Sequence, residues 1–175
     1  GTYGSFFYNG KEKTETQFEN LLPHIIRNLT ETLGDYYLSQ NDPKKALECY
    51  LKNLESEKRE EAGYNALSVM QAYLHLNEPT KALEYATRAY MLAKGEHWTY
   101  RFTSELAYGI VLSFIEPRVG FNQLQYVQQE ASEHGMPGYC QAQLALYLAW
   151  VHLQLDNQKA AVETIKAYHA YLKEL

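Results

Sequence analysis

The chain has 175 residues, 46% of them hydrophobic and 21% charged, with a net charge of -5. This suits one packed domain or a short repeat array, excludes a disordered chain, and argues against a nucleic-acid-binding face, which would carry a basic stripe. No apolar run reaches membrane-spanning length, and the two cysteines, Cys49 and Cys140, lack metal-ligand spacing and read as small buried groups of a reducing cytoplasm.

Residues 1–13 form a glycine-bearing aromatic lead-in with two readings, a frayed terminus or a tether on the first hairpin, and the cost of leaving Phe6, Phe7 and Tyr8 in water favours the tether. A start at Gly1-Thr2 without methionine is what an excised or processed fragment shows. Helical periodicity begins near Thr14, where Thr14 and Gln17 have capping-box spacing. Pro23 is expected to kink or divide this helix, with Ile25, Leu29, Leu33 and Tyr37 continuing one apolar face. A second helix is predicted from Pro43 to about Lys58, followed by the alternating charges Glu57-Lys58-Arg59-Glu60-Glu61 of a solvated junction. The next pair is predicted over 60–76 and 79–94, stopping at Gly95. A helix should resume near Phe121 and end at Gly135, and the last pair should span 139–155 and 157–173.

Three stretches in this order share one pattern: Asn41-Asp42-Pro43-Lys44-Lys45-Ala46, Asn77-Glu78-Pro79-Thr80-Lys81-Ala82 and Asp156-Asn157-Gln158-Lys159-Ala160-Ala161. Around each central alanine the same residue character returns, with Gly34, Met70 or Ala149 before it and Tyr37, Tyr73 or His152 between. An internal repeat of this kind decides architecture. Its physical sense is a helical hairpin whose small residues let two backbones cross closely. Asp42 and Asn157 can cap the second helix, and Pro43 and Pro79 fit its first turn. An intermediate copy is degenerate: Leu106-Ala107 and Ile110 hold the register, and Val119 stands at the small crossing position. His152, in place of an aromatic, reads as a buried, hydrogen-bonded imidazole.

These residues resemble the tetratricopeptide (TPR) family: Leu33-Gly34, Tyr37, Ala46 and Tyr50 match its motif in the first copy, Tyr73, Ala82 and Ala89 in the second, and Leu148, Ala149 and Ala161 in the last. The family's closing proline is absent. The resemblance implies an all-α, TPR-like superhelical array of antiparallel helix hairpins, about four hairpins and eight helices, over residues 14–175. The segment from Tyr3-Gly4-Ser5-Phe6-Phe7 onward also looks like the helical transcriptional-activator domain of some bacterial regulators, and Ala131-Ser132-Glu133-His134-Gly135 with Leu144-Ala145-Leu146 looks like the TPR sensor arms of others. Those likenesses imply a regulatory arm coupled to a DNA-binding or output domain.

None of the six histidines pairs with another at metal-ligand spacing, and no Gly-x-Ser-x-Gly elbow, Walker loop or dinucleotide fingerprint occurs. The expectation is therefore a non-enzyme with no metal and no cofactor. Stacked hairpins instead present their first helices along a groove. The stripe beside the crossing residues gives Tyr64, Gln71 and His75 from the second hairpin, Arg101 and Tyr108 (with Glu105) from the third, and Tyr147 and Trp150 from the fourth as partner-binding residues. The first hairpin would add Asn28, Glu31, Thr32 and Asp35. Glu31 and Asp35 would repel a terminal carboxylate, which excludes the chaperone-type clamp of the family. The expected role is a scaffold taking a protein or peptide partner, with a homo-oligomer also open.

Overall fold

A computed structural model describes residues 14–55 and 62–174, so the aromatic lead-in and the charged junction Glu57–Glu61 lie outside the described residues. Among the described residues there are eight helices and no strand: α1 Thr14–Ser39, α2 Pro43–Glu55, α3 Ala62–His75, α4 Pro79–Ala93, α5 Trp98–Ile115, α6 Pro117–Glu133, α7 Gly138–Gln154 and α8 Gln158–Glu174. The all-α architecture expected from the repeat is present. Helix α1 runs through Pro23 undivided, and α6 starts at Pro117, four residues before the expected Phe121.

Three of the four hairpin turns are copies at the level of single bonds. Asn41, Asn77 and Asp156 each adopt left-handed backbone, with φ of 58°, 57° and 57°. Asparagine and aspartate tolerate that region better than other side-chain-bearing residues. In each turn the next N–H reaches back to close the helix, from Asp42 to Tyr37 O, Glu78 to Tyr73 O and Asn157 to His152 O, all at 2.9 Å. This is the bond that caps a helix C-terminus in a Schellman motif. Asp42 Oδ1 then accepts from Lys45 N at 3.3 Å, and Asn157 Oδ1 from Ala160 N at 3.2 Å, capping α2 and α8 as the sequence suggests.

The chain falls into two compact units, Gly1–Ser56 and Glu57–Leu175. In the first, α1 and α2 cross at Gly34 and Ala46. A β-carbon at Gly34 would lie 2.5 Å from the Tyr50 ring, so only glycine leaves room for that tyrosine. The buried Tyr50 hydroxyl donates to Asp35 Oδ1 at 2.6 Å, and Asn53 donates to Arg27 O at 3.0 Å and to Glu31 at 3.3 Å. Glu31 and Asp35 thus serve α2. Glu31 is half-buried there, while Asp35 stays exposed.

In the second unit, α3–α4, α5–α6 and α7–α8 form three hairpins in sequence. Met70, Ala82, Ala86, Ala107 and Val111 close one core between α3, α4 and α5. A larger core joins α5, α6 and α7 through Trp98, Phe102, Leu106, Leu124, Leu144 and Leu148. Ala82, Ala86 and Ala89 are fully buried, which lets α5 lie close on α4.

The middle hairpin departs from the others at its turn, which holds Glu116 alone where the others hold three residues. The crossing consequently shifts. Gly120, at the fourth position of α6, occupies the place of Ala82 and Ala161 in their helices, and it lies directly on Ser113. Gly109, whose β-carbon would meet Leu124 at 2.8 Å, takes the place that Gly34 has against Tyr50. Val119, the expected crossing residue, is 40% exposed.

Candidate functional site

The first helix of each hairpin in the second unit keeps one stripe uncovered, and the crossing residue fixes which stripe that is. On α3, counted from Met70, it comprises Tyr64, Ser68, Gln71 and His75; Tyr64, Gln71 and His75 are exposed, as expected. On α7, counted from Ala149, it comprises Gln143, Tyr147 and Trp150. Trp150 is half-buried, with its ring 4.8 Å from that of Phe114 on α5. Tyr147 is also half-buried and packs on the α5–α6–α7 core, so its body is structural more than free.

On α5 the expected stripe lies on another face. Counting from Ala107 gives Arg101, Glu105 and Tyr108, but the crossing residue is Gly109. The uncovered stripe is therefore Thr103, Ile110 and Phe114, with Ala107 buried beneath it. Arg101 and Tyr108 point between α4 and α6. The Arg101 guanidinium lies 3.4 Å from Glu105 and 3.6 Å from Glu130, and 5.3 Å from the Trp98 ring centre. Tyr108 stacks on Tyr90 of α4 at 4.7 Å. Glu105 is only 5% exposed. Burial pushes its carboxyl pKa up, and the neighbouring Glu130 pushes it further, against the opposing pull of Arg101 and His134. This cluster ties α5 to α6.

With the register corrected, the face carries residues that sequence reasoning missed. Phe114 is 50% exposed, Leu146 47% and Leu153 50%, with Ile110 half-buried beside them. Leu146, Trp150 and Leu153 follow i, i+4, i+7 spacing on α7, and Ile110 and Phe114 follow i, i+4 on α5. The two ridges meet at the Phe114–Trp150 contact. At the other end of α5, Tyr64 meets Tyr100 edge-on at 5.2 Å, which seats α3 against it. The signal that could have found Phe114 is Pro117, which stands at the start of α6 as Pro43 and Pro79 stand at the starts of α2 and α4. Counting from it puts the crossing at Gly120.

His152 is half-buried and lies 4.9 Å from the Phe121 ring, an aromatic-edge packing in place of the expected full burial. Cys49 and Cys140 are buried free thiols, and burial raises the pKa of each. Among the described residues no group of three or more histidine, cysteine, aspartate or glutamate side chains could hold a metal ion, and no helix is long and apolar enough to cross a membrane.

No model of a known protein family matches the chain, and no curated protein matches it. Among solved structures, the crystal structure of MamA aligns with it at a TM-score of 0.42 and 14% identity, covering 81% of this chain and 95% of that one.

Proposed function

We propose that this chain is a protein-binding scaffold that captures a partner on the α5–α7 face. The observation that carries the reading is the exposure of Phe114, Leu146 and Leu153 around the half-buried Trp150. Large apolar side chains gathered on one face mark an interaction site more often than a free surface. Aromatic anchors of this kind supply much of an interface's energy. Two parallel apolar ridges suit an amphipathic partner helix with apolar residues at i, i+4 and i+7. The role is binding, without catalysis of its own.

A photocrosslinker placed at Leu146 tests this against one at Glu84, an exposed position on α4. A discrete crosslinked protein at Leu146 and none at Glu84 supports the face. Equal labelling at both positions overturns it. Phe114→Ala should weaken the captured partner's affinity about tenfold, the scale of a single anchoring residue.

The finer reading is the regulatory arm of a bacterial transcription or signalling protein working in the cytoplasm. It rests on the likeness of the lead-in and of the long hairpins to such regulators, and the full-length gene tests it by encoding, or lacking, a DNA-binding or output domain.

A further inference from the structure

Each first helix of the second unit after α3 is flanked by two second helices, and the two crevices so formed can be compared position by position. Trp98 and Gly138 open α5 and α7, and Pro79, Pro117 and Gln158 open α4, α6 and α8. Aligned on those starts, Tyr90, Tyr108 and Tyr126 around α5 correspond to Gln128, Leu148 and Ala167 around α7, and Glu105 corresponds to Ala145. The first crevice is filled: Tyr90 and Tyr108 stack at 4.7 Å, and Glu105 beneath them is clamped by Arg101. The second has no phenol ring at any of the three positions, and there the structure has an open cavity of about 330 Å³.

The cavity lies between α6, α7 and α8. Its floor is Ala145 and Leu148, both buried, and its wall is formed by Phe121, His152 and Gln128. Gln125, Glu163 and Ala167 stand at the rim and are exposed, so the space opens to solvent. The groove is open, and its apolar floor, two rings on one side and few polar groups at the mouth are the kind of lining that small-molecule sites use.

We propose that this cavity binds a single phenolic ring, the group that the same fold supplies to itself one hairpin earlier. The ring lies over Ala145 and Leu148, against the edges of Phe121 and His152, in the offset or edge-on packing that aromatic pairs prefer. Its hydroxyl reaches the rim, where the Glu163 carboxylate and the side-chain carbonyls of Gln125 and Gln128 accept a hydrogen bond. The site is separate from the Phe114–Trp150 face and does not depend on the scaffold reading.

An amide-resolved NMR titration of the full chain tests it, with p-cresol as the free phenol, N-acetyltyrosinamide as the side chain in peptide form, and cyclohexanol as a non-aromatic control. Saturable shifts centred on Gln128, Ala145 and His152, with a Kd of about 1 mM or tighter for at least one phenol and at least tenfold weaker for cyclohexanol, are expected. Binding of p-cresol alone assigns a free phenolic ligand, and binding of N-acetyltyrosinamide assigns a partner's tyrosine. Ala167→Tyr and Gln128→Tyr each restore a ring of the filled crevice and should weaken phenol binding at least tenfold while the helical spectrum is kept. Should Gln128→Tyr, at the half-buried wall, not fold, Ala167→Tyr decides, since Ala167 is exposed at the rim. No saturable shift with either phenol, equal binding of cyclohexanol, or unchanged affinity in a folded ring-restoring variant overturns the site.

Discussion

Gly120 lies so close on Ser113 that a methyl group added to it would overlap both the serine hydroxyl and the serine backbone. Ser113 is itself 1% exposed, and its hydroxyl is turned back to Gly109 O at 2.8 Å. The α5–α6 crossing is therefore a backbone-to-backbone contact. Gly120→Ala should raise the intrinsic helix propensity of α6 by about 1 kcal/mol yet destabilise the protein, because prying the helices apart costs about 1–3 kcal/mol. The net effect is a lower melting temperature. A variant melting above the wild type would show that the crossing does not lie there.

Ala82 is fully buried between Met70, Ala107 and Val111. Ala82→Leu has no space to enter and should cost about 1–3 kcal/mol in denaturant unfolding. Val119→Leu, at the position that the sequence pattern alone would equate with Ala82, should change stability by less than about 0.5 kcal/mol, since it is a surface substitution. The pair of measurements separates the observed register from the expected one.

The turn residue Asn77 adopts left-handed backbone at φ 57°. Asn77→Ala should cost about 1 kcal/mol or slightly more, the penalty of a β-carbon in that region, while Asn77→Gly should be close to neutral. Thermal unfolding of the two variants checks this, and equal melting temperatures would count against the turn geometry.

Folded Glu105 keeps its proton to higher pH than it does in the unfolded chain, because burial and Glu130 raise its pKa. Its contribution to stability is thus fully present below the ordinary carboxylate range and is lost as pH rises through the folded pKa. Glu105→Gln removes that dependence. The stability of the variant relative to wild type should rise as pH increases from the ordinary carboxylate range upward. Denaturant midpoints across that range measure it, and a difference that falls with pH would contradict the assignment.

Tyr147 and Phe114 should behave differently although both lie on the uncovered stripes of their helices. Tyr147 and Trp150 both pack on the α5–α6–α7 core, while Phe114 is 50% exposed and meets the Trp150 ring from outside. Tyr147→Ala should lower stability by about 2–4 kcal/mol, toward the range for truncating a large core aromatic. Phe114→Ala should leave the melting temperature within a few degrees and act on partner affinity instead. Comparing melting and affinity for the two variants distinguishes support from contact.

The local order of this chain was legible in its sequence because it is written in short-range chemistry. Asn41, Asn77 and Asp156 mark the turns, where the backbone goes left-handed, and Pro43 and Pro79 mark helix starts. Ala46, Ala82 and Ala161 mark close crossings, since only small side chains allow them. Each of these constraints acts within a few residues, so each survives as a pattern. The face of α5 was not legible in the same way. Its register depends on a turn shortened to Glu116 and on which glycine, Gly109 or Gly120, meets which neighbour across the hairpin, and that is decided by packing of side chains distant in sequence. The same holds for Glu31 and Asp35, whose partners Asn53 and Tyr50 lie on the next helix, and for the cavity beside Ala145. A missing tyrosine looks like ordinary substitution along the chain, and only the juxtaposition of α6, α7 and α8 turns three such substitutions into one empty volume.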